Sequence, residues 1–206
     1  MRGLYVITPA HETDPKQLEN AVRAAIAGGA AWVQFRHKGA DADLALELGQ
    51  ATLAACGATQ TPLLVNDHIA LALQLNCQGV HLGQNDGAIE DARLRLGREA
   101  IIGRTCHDSA AFMQDAVKAG ASYSAFGRLF SSSTKPDAPG LSLARLAQLV
   151  TSCPLPVVAI GGINANNAES VLATGAAALA VSGAVFDAPD IAEAAYGLAK
   201  YFKETP

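Results

Sequence analysis

Short apolar runs rich in β-branched residues alternate with longer amphipathic stretches from one end of the chain to the other. The runs are GLYVIT from Gly3, AWVQF from Ala31, PLLVN from Pro62 and GVHLG from Gly79. They continue with AIIGRT from Ala100, YSAFG from Tyr123, PVVAIGG from Pro156 and ALAVSG from Ala178. Their brevity and composition predict strands. Between them, apolar residues recur near the helical period over Gln17–Ala27, Asp41–Ala55, Ala110–Ala119 and Asn167–Thr174, which predicts amphipathic helices. Local signals agree. Asp14 precedes Pro15 as an N-cap before a proline at the first helical position, and Gly28-Gly29 closes that helix. Asp108 and Gly120 bracket the fifth helix, and Asn164 and Gly175 the seventh.

Eight strand-then-helix units in 206 residues leave two architectures: a (β/α)8 barrel near the short end of its range, or an open doubly wound sheet. No G-x-G-x-x-G turn follows the first strand, and polar residues gather after nearly every strand instead of at one crevice. The expected fold class is therefore α/β, a (β/α)8 barrel of the TIM type. No linker-like or low-complexity segment interrupts it, so residues 1–206 are expected to form one barrel domain.

Composition narrows the function. Half the residues are hydrophobic and 17% charged, which supplies a large core and argues against disorder. A net charge of −4 argues against nucleic acid or an anionic membrane as the main partner, so any anion must be held by a few placed groups. Cys56, Cys77, Cys106 and Cys153 are scattered without a C-x-x-C pair and read as reduced thiols. The N-terminal apolar run is too short for a signal peptide, and no stretch approaches the ~20 apolar residues of a membrane helix. A cytoplasmic protein is expected.

In a barrel the active site lies at the C-terminal ends of the strands. Those positions hold Gln34, Arg36 and Lys38 after the second strand, and Asn66 and Asp67 after the third. Gln84 and Asp86 follow the fourth, and Arg104, Thr105 and His107 the fifth. Ser131 to Lys135 follow the sixth, Gly161 and Gly162 the seventh, Ser182 and Gly183 the eighth. Gln34, Arg36 and Lys38 alternate, so an extended backbone points all three to one side, where a guanidinium fork beside an ammonium suits a polyanion such as a diphosphate. Two exposed charges at a strand end are the plain alternative. Asp67 and Asp86, from adjacent strands, suit Mg²⁺ completed by water and phosphate oxygens; for Asp67, in VNDHIALAL, helix capping is the other reading. The glycines after the seventh and eighth strands let backbone N–H groups approach a phosphate. Of the histidines, His81 reads as a satisfied barrel residue, His107 as a donor near the mouth and His37 as facing the helices.

In this order and spacing, GLYVIT, VQFRHK, VNDHIALAL, GVHLGQND, IIGRTCHD, FGRLFSSSTKPDAPG, VVAIGGI and AVSGAVF resemble the thiamin phosphate synthase family over essentially the whole chain. The resemblance implies a (β/α)8 barrel and a Mg²⁺-dependent coupling of hydroxymethylpyrimidine diphosphate with thiazole phosphate. It implies that Gln34, Arg36, Lys38, Asn66, Thr105 and Lys135 hold the pyrimidine diphosphate, with Arg36, Lys38 and Lys135 catalytic on the departing diphosphate. Asp67 and Asp86 match the Mg²⁺ ligands. Ser132, Ser133, Thr134, Gly162, Val181 and Ser182 match contacts to the thiazole phosphate. The chain departs from the family pattern at His37, where Glu is common, at Arg128 for Pro, at Ser132 for Thr and at Thr105 for Ser; none removes a charge the reaction needs. Partners are expected to be these small molecules, with a homo-oligomer compatible with the pattern. A thiazole tautomerase of the same fold is the alternative, and it predicts a His where Arg128 stands. A phosphate-ligand sensor, needing only the glycine loops, is a further one.

Overall fold

The computed structural model describes residues 1–39, 41–130 and 140–202. Strands and helices alternate strictly through the first sixteen elements: β1 (Gly3–Ile7), α1 (Pro15–Ala27), β2 (Ala30–Phe35), α2 (Ala42–Gly57), β3 (Leu63–Asn66), α3 (Ile69–Leu75), β4 (Gly79–Leu82) and α4 (Ile89–Leu96) make the first half. The second half holds β5 (Ile101–His107), α5 (Ala110–Lys118), β6 (Tyr123–Phe126), α6 (Leu143–Ser152), β7 (Val157–Ile160), α7 (Ala168–Leu172), β8 (Ala178–Val181) and α8 (Gly183–Phe186). Helix α9 (Ile191–Ala199) and one 3₁₀ turn follow. The strands pair in parallel and in sequence order, and β1 closes on β8 with Tyr5 beside Ala180. This is the expected (β/α)8 barrel.

Alternation along each strand builds two cores. Leu4, Val6, Val33, Phe35, Val80, Leu82, Ile102 and Leu179 point outward and are buried beneath the helices. Tyr5, Ile7, Leu64, Tyr123, Ala125, Val158, Ala178 and Ala180 point inward and fill the barrel. Gly103 on β5 makes room inside it: a Cβ there would collide with the Tyr123 ring. Small residues on the neighbouring strands, Gly103 beside Tyr123 and Ala180 beside Tyr5, thus make room for the two tyrosines.

Capping follows the sequence at α1, where Asp14 Oδ1 accepts from the backbone N–H groups of Lys16 (2.8 Å) and Gln17 (3.1 Å). Two start signals need correcting. Helix α5 is capped by Ser109, whose Oγ accepts from Phe112 N, while the Asp108 carboxylate accepts from Arg145 Nε at 2.8 Å. Helix α7 has Asn167 at its N-cap position; Asn164 instead forms a turn, its Oδ1 accepting from Asn166 N. All four cysteines are free; burial pushes the Cys56 thiol up to about 12 and the Cys106 thiol up to about 11, which makes both poor nucleophiles. Among the described residues no helix is long and apolar enough to cross a membrane.

Candidate active site

A cavity of about 490 Å³ opens at the C-terminal ends of the strands. Gln34, Arg36 and Lys38 all line it, as their alternation predicts. The end of β1 holds this segment in place. Thr8 Oγ1 accepts from Arg36 N at 2.9 Å and donates to Arg36 O, and Lys38 N donates to Ala10 O at 2.8 Å. Both cations therefore sit on backbone fixed by a neighbouring strand. Gln34 is almost fully buried, and its Nε2 donates to Tyr5 Oη at 2.7 Å.

Asn66, Asp67 and Asp86, from the ends of the neighbouring β3 and β4, line the same cavity. Asp67 does not cap α3. His68 occupies the N-cap position, without a side-chain bond, and Asp67 lies one residue earlier at φ 63°. That left-handed backbone costs of the order of 1–3 kcal/mol in a non-glycine residue, and Asp is one of the few types that adopts it. Its effect is to turn the carboxylate into the cavity. Asn66 Nδ2 donates to Asp67 Oδ2 at 2.6 Å, and Gly83 N points at Oδ1 at 3.4 Å. Burial raises the pKa of Asp67 above the ordinary carboxylate range, and the negative charge of Asp86 raises it further. Neither carboxylate is ion-paired to a cation among the described residues. A like-charged pair with nothing to neutralise it is the arrangement that suits a divalent cation. Among the described residues no group of three or more His, Cys, Asp or Glu forms, so two carboxylates are what the chain offers such an ion.

The fifth strand supplies Thr105 and His107, both at the cavity wall. A bulge between them shifts the register against β6, and His107 takes φ 52°. Arg104 does not join them. It points to the outside, and its guanidinium donates to Gly87 O (2.8 Å) and Gln84 O, tying down the loop that carries Asp86. Gln84, which lines the cavity, donates from Nε2 to Thr105 O.

Gly162, Val181 and Ser182 lie at the ends of β7 and β8, beside the cavity lining and not in it. Gly161 and Gly162 take φ 107° and 65°, conformations natural only to glycine. Val181 is buried in the outer core, so only its backbone can face the mouth. Ser132, Ser133, Thr134 and Lys135 lie outside the described residues. The chain on either side of them is fastened to the same rim: Leu129 N donates to Ile160 O, Phe130 N to Gly161 O, and Leu141 N to Arg128 O at 2.7 Å.

Three contributors were not singled out from the sequence as site residues. Tyr5 and Ile7 line the cavity from β1, and His81, read as a barrel residue, lines it from β4. Inward alternation along GLYVI was the available signal for the first two. Burial lowers the His81 pKa to about 4, with the positive charge of Arg104 as a smaller cause, so the imidazole is neutral near pH 7. His37 has both ring nitrogens buried without a hydrogen-bond partner among the described residues. A second hollow, of about 570 Å³, lies around Arg2, Glu169 and Tyr201 at the other end of the barrel, away from every strand C-terminus.

A family model described as thiamine monophosphate synthase matches residues 4–185. A thiamine-phosphate synthase of Methylobacillus flagellatus is 45% identical, the match covering 93% of this chain and 90% of that one. Another, of Nitrosococcus oceani, is 42% identical over 98% and 93% of the two chains. The solved structure of a thiamine phosphate pyrophosphorylase from Pyrococcus furiosus superposes with a TM-score of 0.86 at 35% identity, covering 98% of this chain and 96% of that one.

Proposed function

The chain belongs to the thiamine monophosphate synthase family and is a pyrimidinylmethyl transferase, and we propose that it couples hydroxymethylpyrimidine diphosphate to thiazole phosphate, releasing diphosphate, with Mg²⁺ bound by Asp67 and Asp86. The observation that carries this reading is one cavity lined by Arg36 and Lys38 after β2 and by Asp67 and Asp86 after the neighbouring β3 and β4, with Gln34, Asn66 and Thr105 around it.

The division of labour follows from charge and shape. Arg36 offers a planar fork and Lys38 a point charge, a combination that neutralises the oxygens of a leaving diphosphate. When bound, Mg²⁺ supplies further charge neutralisation on the same oxygens. Lys135, outside the described residues, completes the cationic set as the family resemblance implies. No side-chain nucleophile is required. The methylene C–O bond breaks with its electron pair leaving on diphosphate, the amino-substituted ring carries the cation, and the thiazole nitrogen lone pair forms the new C–N bond. Catalysis is then electrostatic preorganisation plus proximity.

Gln34, Asn66 and Thr105 orient the pyrimidine from three strands. Ser132, Ser133 and Thr134, with the backbone of Gly162, Val181 and Ser182, hold the thiazole phosphate. The positive φ of Gly161 and Gly162 supports that role, because it lets the main chain come close to an anion.

Incubating the protein with both substrates, with Mg²⁺ or with a chelator, tests the reading. Thiamine phosphate and diphosphate should appear in equal amounts, and only with the metal. Tautomerisation of the thiazole without coupling, or binding without product, overturns it.

A further inference from the structure

Beneath the charged rim, four hydrogen bonds link five side chains from five strands into one line across the barrel. Gln34 Nε2 on β2 donates to Tyr5 Oη on β1 at 2.7 Å. Tyr5 Oη meets Tyr123 Oη on β6 at 3.0 Å, and Tyr123 Oη meets His81 Nδ1 on β4 at 2.8 Å. His81 Nε2 meets Thr105 Oγ1 on β5 at 2.8 Å. Tyr5, Tyr123, His81 and Gln34 are all buried, and every member of the line but Tyr123 borders the cavity, with Gln34 and Thr105 at its two ends.

Counting protons ties the direction of the line to the orientation of the Gln34 amide. Burial pushes both phenols well above their ordinary range, so each keeps one hydrogen to give. A neutral imidazole has one N–H and one acceptor nitrogen. With the Gln34 amide nitrogen already donating to Tyr5, every buried hydrogen finds an acceptor in only one arrangement. Tyr5 donates to Tyr123, Tyr123 donates to His81 Nδ1, and His81 Nε2–H donates to Thr105. The opposite direction requires Gln34 to turn its carbonyl to Tyr5 and Thr105 to spend its hydrogen on His81. Mixed arrangements leave a buried hydrogen without a partner, which is costly in a desolvated interior.

We propose that Tyr5, Tyr123 and His81 form a positioning relay that sets substrate specificity: it holds the Gln34 amide oxygen toward the cavity as an acceptor and leaves the Thr105 hydroxyl hydrogen to be donated into it. The relay rests on the reading of this cavity as the pyrimidine site and names what that site selects, a heteroaromatic ring bearing an exocyclic amino group. The amino N–H meets the fixed Gln34 oxygen. A ring carrying an oxo group at that position presents a second acceptor to it and is rejected. A site built to pair a particular hydrogen rejects the analogue lacking it by up to about 10⁴–10⁵-fold. Without the relay the amide turns over and serves either ring.

Two measurements decide this. The first is ¹⁵N NMR of the substrate-free protein labelled at histidine, with the His81 signals assigned by their loss in His81→Gln. The relay requires the Nε2–H tautomer with an accepting Nδ1; the Nδ1–H tautomer overturns it. The second compares kcat/KM for the amino and the oxo pyrimidinylmethyl diphosphates in wild type, Tyr5→Phe and Tyr123→Phe. Each variant keeps the ring and removes one link, and thermal unfolding shows which remain folded. The preference for the amino substrate should fall at least about tenfold in the folded variants, mainly through the amino substrate. An unchanged preference in a folded variant overturns the relay. Absence of coupling by the wild type sinks the reading of the reaction instead, and the tautomer measurement then decides the relay alone.

Discussion

Asp67, at the end of β3, and Asp86, in the loop after β4, bring their carboxylates together over the backbone of Gly83, where a Cβ would strike Asp86 Oδ2 and lie 3.9 Å from Asp67 Oδ1. Glycine at this place keeps the two acids within reach of one ion. Their mutual repulsion, added to burial, raises the Asp67 pKa, so the metal-free protein carries a destabilising charge pair.

Removing one of those charges should separate stability from activity. Asp86→Asn is expected to raise the thermal midpoint of the metal-free protein and to lower turnover by at least about a hundredfold. Mg²⁺ should raise the midpoint of the wild type and leave that of the variant unchanged, because only a folded-state ligand stabilises. Calorimetry with and without Mg²⁺ checks both. A variant that still gains stability from the metal would remove Asp86 from the ligand set.

Gly103→Ala should damage the barrel interior. The added methyl meets the ring of Tyr123, which is fully buried and bonded on both sides, so neither partner can give way cheaply. Overpacking of this kind costs about 1–3 kcal/mol. Urea unfolding should show that loss, and the midpoint of an outward substitution on the same strand, Arg104→Lys, should move less.

Asp14→Ala serves as a contrast far from the chemistry. It removes the two hydrogen bonds that start α1 and should cost about 1 kcal/mol with kcat and KM unchanged. A change in kcat would show that α1 transmits strain to the cavity.

The strands were legible because each is a short, largely apolar run set between longer amphipathic stretches, and closure followed from polar residues after nearly every strand. The alternation of Gln34, Arg36 and Lys38 likewise read directly onto the cavity wall. Helix starts were less legible where several capping residues sit together. Asp108 and Ser109 compete for one cap, and three asparagines stand within Asn164 to Asn167, so composition alone does not choose among them. Arg104 adjoins Thr105 in the sequence, but alternation separates them, so its outward direction is legible there. The capping alternative for Asp67 fails because of a left-handed backbone that no side-chain pattern announces. The tyrosine pair was beyond reach for another reason. Tyr5 and Tyr123 are 118 residues apart, and their contact depends on the register of the intervening strands.

Buried His81 makes the protein sensitive to acid with a predictable sign. Its folded-state pKa is depressed to about 4, whereas the unfolded chain takes up the proton near the ordinary value of 6.5. Between those two values the unfolded state binds more protons than the folded one, so stability is complete above pH 6.5 and falls as pH drops toward 4. At about 1.4 kcal/mol per pKa unit, the loss across this window approaches roughly 3 kcal/mol. Asp67 works in the opposite sense: its raised pKa makes the folded state the better proton acceptor, so its repulsion is relieved as pH falls. Comparing wild type with His81→Gln cancels Asp67 and the other carboxylates to first order, since both proteins contain them. Urea unfolding from pH 7 to pH 4 should show wild type losing the larger amount, with the difference opening below pH 6.5. Parallel curves would mean that the imidazole accepts a proton inside the barrel as readily as in water, against its burial and its hydrogen bonds with Tyr123 and Thr105.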